Sequence, residues 1–329
     1  MDWSGKTVLV TGAGGFIASH LVETLVQQGA SVRAFVRYNS RNDPGLLVQL
    51  EPQILAAVEI VAGDLRDLPA LQQAARSAEM IFHLGALIAI PYSYLHPAEV
   101  VETNVLGTLN VLLAARELGT AKVIHTSTSE VYGTALRVPI DEDHPLQGQS
   151  PYSASKIGAD KLAESFYCAY GLPVVTVRPF NTYGPRQSAR AVIPTIISQA
   201  LTRSELHLGS LDTRRDFTYV SDTVAGFLRA AETEGVEGET FNLGTGSEVS
   251  VGELVQQIGK LLGRELTVTQ DDARLRPEKS EVMRLLSDNR KAKARLGWQP
   301  QVPLEQGLSM TVEWIRRNRH LFQPDIYQR

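Results

Sequence analysis

A glycine-rich turn near the start of the chain is the feature that most constrains the fold. Lys6 to Val10 is a short apolar strand, Thr11 to Ala18 carries the glycines, and a helical pattern then runs to Gln28. Glycines at such a turn let the backbone approach a dinucleotide pyrophosphate, which lies at the helix N-terminus. Glycine-rich turns are common, so the turn indicates a dinucleotide site only because a strand precedes it and a helix follows it. We predict a dinucleotide-binding unit whose cofactor contacts are Gly12, Gly14, Gly15, Phe16 and Ile17.

Further apolar segments repeat this rhythm of strand and helix. Strands that alternate with helices favour an α/β fold with a parallel sheet. Beyond Arg178 the rhythm loosens, as expected for a smaller lobe, and 329 residues exceed the roughly 250–300 that one core usually holds. We predict a nucleotide-binding domain of residues 1–179 plus about 217–246, and a substrate-binding lobe of residues 180–216 and 247–329. The predicted strands are Ser31–Val36, Val58–Ala62, Met80–Leu84, Val123–His125 and Pro173–Arg178.

Composition excludes several classes of protein. The chain is 43% hydrophobic and 21% charged, which is ordinary for a globular protein, and its formal charge of -4 argues against nucleic-acid binding. Cys168 is the one cysteine, so an intrachain disulfide is impossible and we expect no metal site. Asp2 stands where a secretory signal would be basic, and the apolar run Met80–Ile90 is too short to span a bilayer. We expect a cytoplasmic enzyme without a nucleic-acid or membrane partner.

The strongest chemical signal is a tyrosine followed four residues later by a lysine. Ser150 is a suitable N-cap and Pro151 suits the first helical position, so Tyr152 and Lys156 share one helix face. A free tyrosine ionises near pH ~10, and a neighbouring ammonium favours the phenolate. We therefore predict that Lys156 lowers the pKa of Tyr152, which then acts as a general base toward a sugar or alcohol hydroxyl.

Hydroxyls and one carboxylate follow the buried strand that ends at His125. Thr128 can hydrogen-bond the same substrate hydroxyl as Tyr152, and Glu130 offers a second, separate base. Ligands collect at the carboxyl ends of strands in parallel α/β sheets, which favours a functional role for both. The predicted catalytic residues are Thr128, Glu130, Tyr152 and Lys156.

Three motifs together resemble the extended short-chain dehydrogenase/reductases that act on nucleotide sugars. They are the glycine-rich first turn, the hydroxyls before Tyr152 and Lys156, and the segment Arg178 to Arg186. Thr128-Ser129-Glu130 resembles the 4,6-dehydratase branch, GDP-mannose 4,6-dehydratase in particular. Ala86 to Tyr94 and His125 to Ala135 look most like the dehydratases of legionaminic-acid-type pathways. The resemblance implies a Rossmann doubly wound parallel sheet with a smaller α/β lobe, and a homodimer formed through the Pro97–Leu118 helix and the Tyr152 helix.

The end of the second strand bears on the choice of cofactor. NAD enzymes usually carry an acid there, whereas an arginine accommodates the 2′-phosphate of NADP. Val36 and Arg37 fill this place, with Arg33 and Arg41 nearby, so NADP is favoured and NAD remains possible; ordinary exposed arginines are the alternative. By resemblance the further cofactor contacts are Arg37, Asp64, Leu65, Leu84, Gly85, Ala86, Asn104, Thr126, Tyr152 and Lys156.

The substrate is expected to be a nucleotide diphosphate sugar. Arg186, Arg215 and Arg276 are the candidate diphosphate contacts, because a guanidinium bonds two phosphate oxygens at once. Arg276 could equally form a surface ion pair. Asn181 is expected at the diphosphate or the sugar, and Ser129 also belongs to the predicted substrate site. We interpret His20, His83 and His125 as packed or solvated side chains, not ligands.

A hexose 4,6-dehydratase requires oxidation at C4, loss of water across C5 and C6, and hydride return to C6. In this interpretation Tyr152 takes the C4 hydroxyl proton, Thr128 orients that hydroxyl, and Glu130 takes the C5 proton. Many dTDP-glucose dehydratases carry Asp where this chain has Ser129, and serine is a poor proton source. Protonated Glu130 is therefore the candidate acid for the departing C6 hydroxyl.

The sequence is also compatible with other functions. A UDP-glucuronate-type decarboxylase would need an extra cation at the sugar, for which Arg284 is a candidate. A 4-epimerase would leave Glu130 without an obvious task, and an NADP-sensing regulatory protein would not need the base. The nucleotide base and the hexose are undetermined, although the apolar Ala86–Tyr94 loop could shelter the acetamido group of N-acetylglucosamine.

Overall fold

The computed structural model describes residues 1–327. Within them the strands are β1 Thr7–Thr11, β2 Ser31–Arg37, β3 Val58–Gly63, β4 Met80–His83, β5 Lys122–Thr126, β6 Val174–Pro179, β7 Thr182–Tyr183, β8 Glu205–Leu208, β9 Arg214–Arg215, β10 Thr218–Tyr219, β11 Thr240–Leu243, β12 Val249–Ser250, β13 Thr267–Gln270 and β14 Arg284–Leu285. The α-helices are α1 Phe16–Gln27, α2 Pro52–Ala56, α3 Leu68–Ala75, α4 Ile90–Leu95, α5 Pro97–Val101, α6 Gly107–Leu118, α7 Pro151–Tyr170, α8 Val192–Ala200, α9 Val220–Glu232, α10 Val251–Leu262 and α11 Leu304–Arg317.

Within residues 1–327, seven parallel strands form the central sheet, in the order β3-β2-β1-β4-β5-β6-β11. One apolar cluster packs α1 and α9 against the sheet, and a second packs α3, α6 and α7 on the opposite side. The predicted doubly wound α/β fold is confirmed. Strand order reverses between β1 and β4, and ligands of such sheets bind at the carboxyl ends of the strands beside this reversal.

The smaller lobe follows β6. It contains α8, α10 and the paired strands β8 and β13, together with the three-stranded group β12-β9-β14. Between these parts the chain returns to the central sheet through α9 and β11, which pairs with β6. The exact domain boundaries stay a prediction.

One long helix extends from Pro97 to Leu118. Its middle, Glu102–Leu106, is a π-helical turn that joins α5 to α6. Among residues 1–327 this helix is the one long and apolar enough to cross a bilayer by length and composition alone, but half of its apolar window is buried within the protein. A core helix of a globular protein passes the same test. Before it, the predicted loop up to Tyr94 is in part helical, because α4 begins at Ile90.

Candidate functional site

The glycine-rich turn lies against the neighbouring strand. Gly12 has a φ of +67°, and a Cβ built on it would lie 2.6 Å from the Cα of Gly85, which follows β4. A Cβ on Gly14 would lie 2.5 Å from the carbonyl oxygen of Pro44. Helix α1 begins after Gly15 without a side-chain cap, so its first N–H groups are available to an anion. This turn therefore fits the pyrophosphate of a dinucleotide.

Buried hydrogen bonds hold the turn in position. The Thr11 hydroxyl accepts from the backbone N–H of Gly85 at 3.2 Å, so its own proton points to His83 Nδ1 at 2.7 Å. His83 Nε2 then donates to the Thr108 hydroxyl at 3.0 Å, which in turn donates to the carbonyl of Asn104. Burial keeps the pKa of His83 well below its usual value, so this histidine is neutral. It is a packed residue that links β1, β4 and the long helix.

The predicted cofactor contacts at the other strand ends have different surroundings. Arg37 is the last residue of β2, is exposed, and forms an ion pair with Glu99 at 3.3 Å. Asp64 follows β3, and its hydrogen bond from Arg66 holds the pKa of this carboxyl below its usual value. Leu65 packs beside Gly85, and the backbone N–H of Leu84 donates to Thr11.

Asn104 and Thr126 differ in their availability to a ligand. The Asn104 side chain is occupied: it accepts from the N–H of Leu87 at 2.7 Å and donates to Leu87 O and to Ser155 Oγ, both at 2.9 Å. Asn104 thus holds the segment that follows Ala86. The buried Thr126 hydroxyl has no hydrogen-bond partner within residues 1–327. An orphaned polar atom at the end of β5 fits a cofactor contact.

Tyr152 and Lys156 lie on α7, which begins at Pro151 behind a capping box formed by Ser150 and Ser153. Both side chains are buried. Burial raises the pKa of Tyr152; the Thr128 hydroxyl, which hydrogen-bonds the phenol, opposes this rise and the charge of Glu130 adds to it. Burial therefore decides the direction of this pKa shift, and the predicted lowering by Lys156 stays a prediction. Burial also lowers the pKa of Lys156 to about 8.

Glu130 lies between the tyrosine and the smaller lobe. It belongs to the 3₁₀ turn Ser129–Tyr132 that follows β5, and its N–H donates to the Thr128 hydroxyl at 3.2 Å. Its carboxylate faces Arg276 at 3.5 Å, and its charge also acts on Arg215 and on Tyr152. One acid therefore couples the phenol to the arginines of the other lobe. Ser129 is buried beside it.

A cleft of about 460 Å³ adjoins these arginines. Arg215 and Arg276 line it, and Glu281 lies between them, 3.6 Å and 3.9 Å from their respective nitrogens. Asn181 also lines the cleft, and its buried Nδ2 has no hydrogen-bond partner in the described part of the chain. Three of the predicted substrate residues therefore meet at one cleft that suits a diphosphate.

Two other predicted cations lie elsewhere. Arg186 forms a buried ion pair with Glu23 of α1 at 2.6 Å and does not line the cleft. Glu23 balances the charge of this guanidinium through Nη2, while the buried Nη1 has no hydrogen-bond partner within residues 1–327. The predicted diphosphate contact of Arg186 stays a prediction. Arg284 pairs with Glu248 at 2.8 Å and also does not line the cleft, so it does not serve as the extra cation at the sugar.

Several residues of the site were not predicted from the sequence. Arg190 and Arg274 line the cleft, and Arg190 stands four residues beyond Arg186, the last residue of the motif found in the sequence. Asp160 follows Lys156 by four residues on α7, and this spacing is the signal that could have found it. Within residues 1–327 no group of three or more His, Cys, Asp or Glu side chains could hold a metal ion.

Comparison with known proteins identifies the family. The family model for GDP-mannose 4,6 dehydratase matches residues 9–311. The chain belongs to this family. A dTDP-D-glucose 4,6-dehydratase of Mus musculus is 35% identical, over 96% of this chain and 90% of that protein. A UDP-glucose 4-epimerase of Mycolicibacterium smegmatis is 36% identical, over 94% of this chain and 98% of that protein.

A solved structure extends the comparison to the fold of the family. The dTDP-glucose 4,6-dehydratase of Streptomyces venezuelae with NAD and TYD bound matches with a TM-score of 0.86 and 31% identity, over 97% of this chain and 99% of that one. The predicted membership of the extended short-chain dehydrogenase/reductases, in the nucleotide-sugar 4,6-dehydratase branch, is confirmed, as is the prediction of an enzyme. The family uses a nicotinamide cofactor, and the turn at Gly12 and the Thr126 hydroxyl fit one.

Proposed function

We propose that this protein is an NAD(P)-dependent 4,6-dehydratase that converts a nucleotide-linked hexose into its 4-keto-6-deoxy form. The observation that carries the proposal is the position of Glu130. Its carboxylate acts on Tyr152 on one side and lies 3.5 Å from Arg276 of the cleft on the other. A sugar attached to a diphosphate in the cleft would meet the phenol and the carboxylate together.

The chemistry divides between two bases. The nicotinamide cofactor supplies hydride acceptance from C4 and hydride return to C6. Tyr152 takes the C4 hydroxyl proton, and Thr128, which hydrogen-bonds the phenol, orients that hydroxyl. Because burial raises the pKa of the phenol, its ionisation depends on a nearby positive charge, which the Lys156 ammonium can provide. Charges act more strongly in such a buried site than in water.

Elimination follows at the neighbouring carbons. The C4 ketone acidifies the C5 hydrogen, and Glu130 takes it as a proton. The same carboxyl group then returns a proton to the C6 oxygen, which leaves as water while the C5–C6 double bond forms. Ser129 is buried next to Glu130 and can donate a hydrogen bond but no net proton. The hydrogen at C5 of the product would come from solvent as a proton.

Incubation with nucleotide sugars in deuterated water tests this reaction class. Dehydration gives a 4-keto-6-deoxy product with deuterium at C5, which NMR and mass spectrometry detect. Epimerisation gives an isomer without mass loss, and several relatives bear epimerase names. Decarboxylation releases carbon dioxide from a hexuronate; we retain it as the second candidate because Arg276 puts a cation 3.5 Å from Glu130. Cofactor binding without turnover of any sugar would indicate a sensor.

We further propose N-acetylglucosamine as the hexose. Pro91, Tyr94 and Leu95 line the cleft, so part of the apolar segment that follows Ala86 faces the substrate region. The Tyr94 hydroxyl is held by Ser280 Oγ at 2.6 Å, which joins this segment to the smaller lobe. Turnover of UDP-, GDP-, CDP- and dTDP-linked sugars, with and without the acetamido group, tests the proposal. A preference for the unmodified hexose with every base would contradict it.

NADP is the cofactor that we propose. Val36 is buried and the exposed Arg37 follows it, so the end of β2 offers a guanidinium and no acid to the adenosine ribose. The counter-argument is that related structures contain NAD. Calorimetric titration of the protein with each cofactor decides between them, and tighter binding of NAD would refute the proposal.

We also propose a homodimer formed through the long helix and α7. Val101 and Leu106 on the long helix and Tyr167 and Tyr170 on α7 are exposed apolar or aromatic side chains. Such a surface suits a second copy of the chain. Sedimentation velocity would give a particle of twice the 36.0 kDa chain mass, and a monomer at micromolar concentration would contradict the proposal.

A further inference from the structure

Asp160 lies directly behind the Tyr152 and Lys156 pair. The three residues are spaced by four on α7 and therefore share one helix face. Asp160 is buried, and both of its carboxylate oxygens are bonded. Oδ1 accepts from His125 Nε2 at 3.0 Å, and Oδ2 accepts from Ser127 Oγ at 2.7 Å. The carboxylate thus joins α7 to the end of β5, next to the catalytic turn.

The carboxylate is ionised. Burial opposes its charge, yet the hydrogen bond from His125 and the positive charge of Arg178 lower the pKa of Asp160 to about 2. Arg178 Nη2 donates to Oδ2 at 3.0 Å, while its Nη1 donates to the Tyr132 hydroxyl at 2.9 Å. Arg178 therefore has two partners, because its Nη1 group is bonded to Tyr132 and not to Asp160.

The charge of Lys156 acts on titratable groups of two strands and of its own helix. His83 on β4 and His125 on β5 are neutral because burial lowers the pKa of each. Arg178 on β6, which pairs with Asp160, carries a positive charge, and burial keeps the Tyr152 phenol protonated. Within residues 1–327, Asp160 is the acid that raises the pKa of Lys156 against burial. Without this carboxylate, every remaining neighbour is neutral or positive, which favours the uncharged amine.

We propose that Asp160 is a positioning residue whose carboxylate holds Lys156 in its ammonium form on the face of α7 that carries Tyr152. The role in catalysis rests on the proposed function, because the ammonium matters for ionisation of the Tyr152 phenol. The charge state of Lys156 itself does not depend on the substrate or the reaction, so it can be tested separately.

Asp160→Asn is the informative variant, since it removes the charge and retains the shape. The readout is the pH titration of the Lys156 side chain by NMR in protein with ¹³C-labelled lysine, without cofactor or substrate, assigned by loss of the signal in Lys156→Arg. We expect the titration midpoint to fall by at least one pH unit in Asp160→Asn and to be retained in Asp160→Glu. An unchanged midpoint in folded Asp160→Asn would overturn the proposal, whatever the substrate proves to be.

The pH profile of turnover separates this role from a purely structural one. If the ammonium is required, the alkaline loss of activity moves to lower pH in Asp160→Asn and activity partly returns on acidification. A structural defect instead lowers activity equally at every pH, which would count against the proposal. Glu164→Gln, an exposed acid on the same helix paired with Lys161, is the matched control and should change neither readout.

Asp160→Asn leaves Arg178 without its carboxylate partner, and this variant could fail to fold for that reason. A second variant then provides the test. The double variant Asp160→Asn with Arg178→Gln removes both charges of the buried pair. The Lys156 midpoint should still fall, since Asp160 lies one helical turn from Lys156 on the same face. A midpoint equal to that of the unaltered protein would refute the proposal.

Discussion

Replacement of Gly12 by alanine would test how closely the glycine-rich turn must approach the neighbouring strand. Gly12 has a φ of +67°, and the added Cβ would lie 2.6 Å from the Cα and 2.7 Å from the N of Gly85. These are backbone atoms that cannot rotate away. A left-handed conformation costs an L-residue roughly 1–2 kcal/mol, and forced repacking adds roughly 1–3 kcal/mol. We expect Gly12→Ala to lower the free energy of unfolding by roughly 2–5 kcal/mol.

Gly171→Ala is the matched control. Gly171 has a φ of +65° and nothing within 4 Å of its added Cβ, so the substitution carries the conformational cost alone, roughly 1–2 kcal/mol. It ends α7 about 28 Å from Tyr152 along the helix axis, at 1.5 Å per residue. Any excess loss of stability in Gly12→Ala therefore reports the contact with Gly85.

Urea unfolding followed by tryptophan fluorescence gives the order of the midpoints, and calorimetry gives the affinity for NAD and NADP. Midpoints are compared because a two-lobed chain need not unfold in one step. Gly12→Ala should have the lower midpoint and lose cofactor binding at least tenfold, while Gly171→Ala binds as the unaltered protein does. Equal midpoints together with unchanged cofactor affinity in Gly12→Ala would refute the assignment of this turn.

Three further substitutions test other parts of the site. Glu130→Gln should bind cofactor and substrate but eliminate water at least about 100-fold more slowly, the usual contribution of a general base; near-normal turnover would remove Glu130 from the reaction. Arg37→Ala should weaken NADP about tenfold or more and leave NAD unchanged, with Arg41→Ala as control; equal effects on both cofactors would contradict the assignment of Arg37. His20 is partly buried, and this burial lowers its pKa to about 4 from 6.5. The unfolded chain therefore takes up the proton first, and stability falls as pH drops from 6.5 to 4, by up to about 3 kcal/mol at pH 4. His20→Gln should flatten the stability profile between pH 6.5 and pH 4. A profile identical to that of the unaltered protein would contradict the lowered pKa of His20.

The regular elements could be predicted from sequence because their signals are local. Helix α7 begins at Pro151, as the Ser150 cap and the proline at the first helical position indicate. The predicted strands occur in the central sheet with ends displaced by about one residue. The segment before Tyr94 differs, since its helix α4 is too short for periodicity to reveal and is held by packing on α7.

The pairing of charges could not be predicted in the same way. The sequence offers many arginines, but burial and backbone path decide which acid each one meets. Arg186 meets Glu23 of α1, whereas Arg276 meets Glu130 from the opposite lobe. The pKa of Tyr152 has the same origin, because the spacing to Lys156 is local while burial is tertiary.

By itself the sequence determined the nucleotide-binding fold and the shared helix face of Tyr152 and Lys156, since a glycine turn between strand and helix and a four-residue spacing are properties of short segments. The tertiary structure alone decided how Glu130 is coupled to the cleft, that Arg186 pairs with Glu23, and that Asp160 lies among groups from β5 and β6. The physical reason is that charge and burial depend on neighbours brought together from distant parts of the chain.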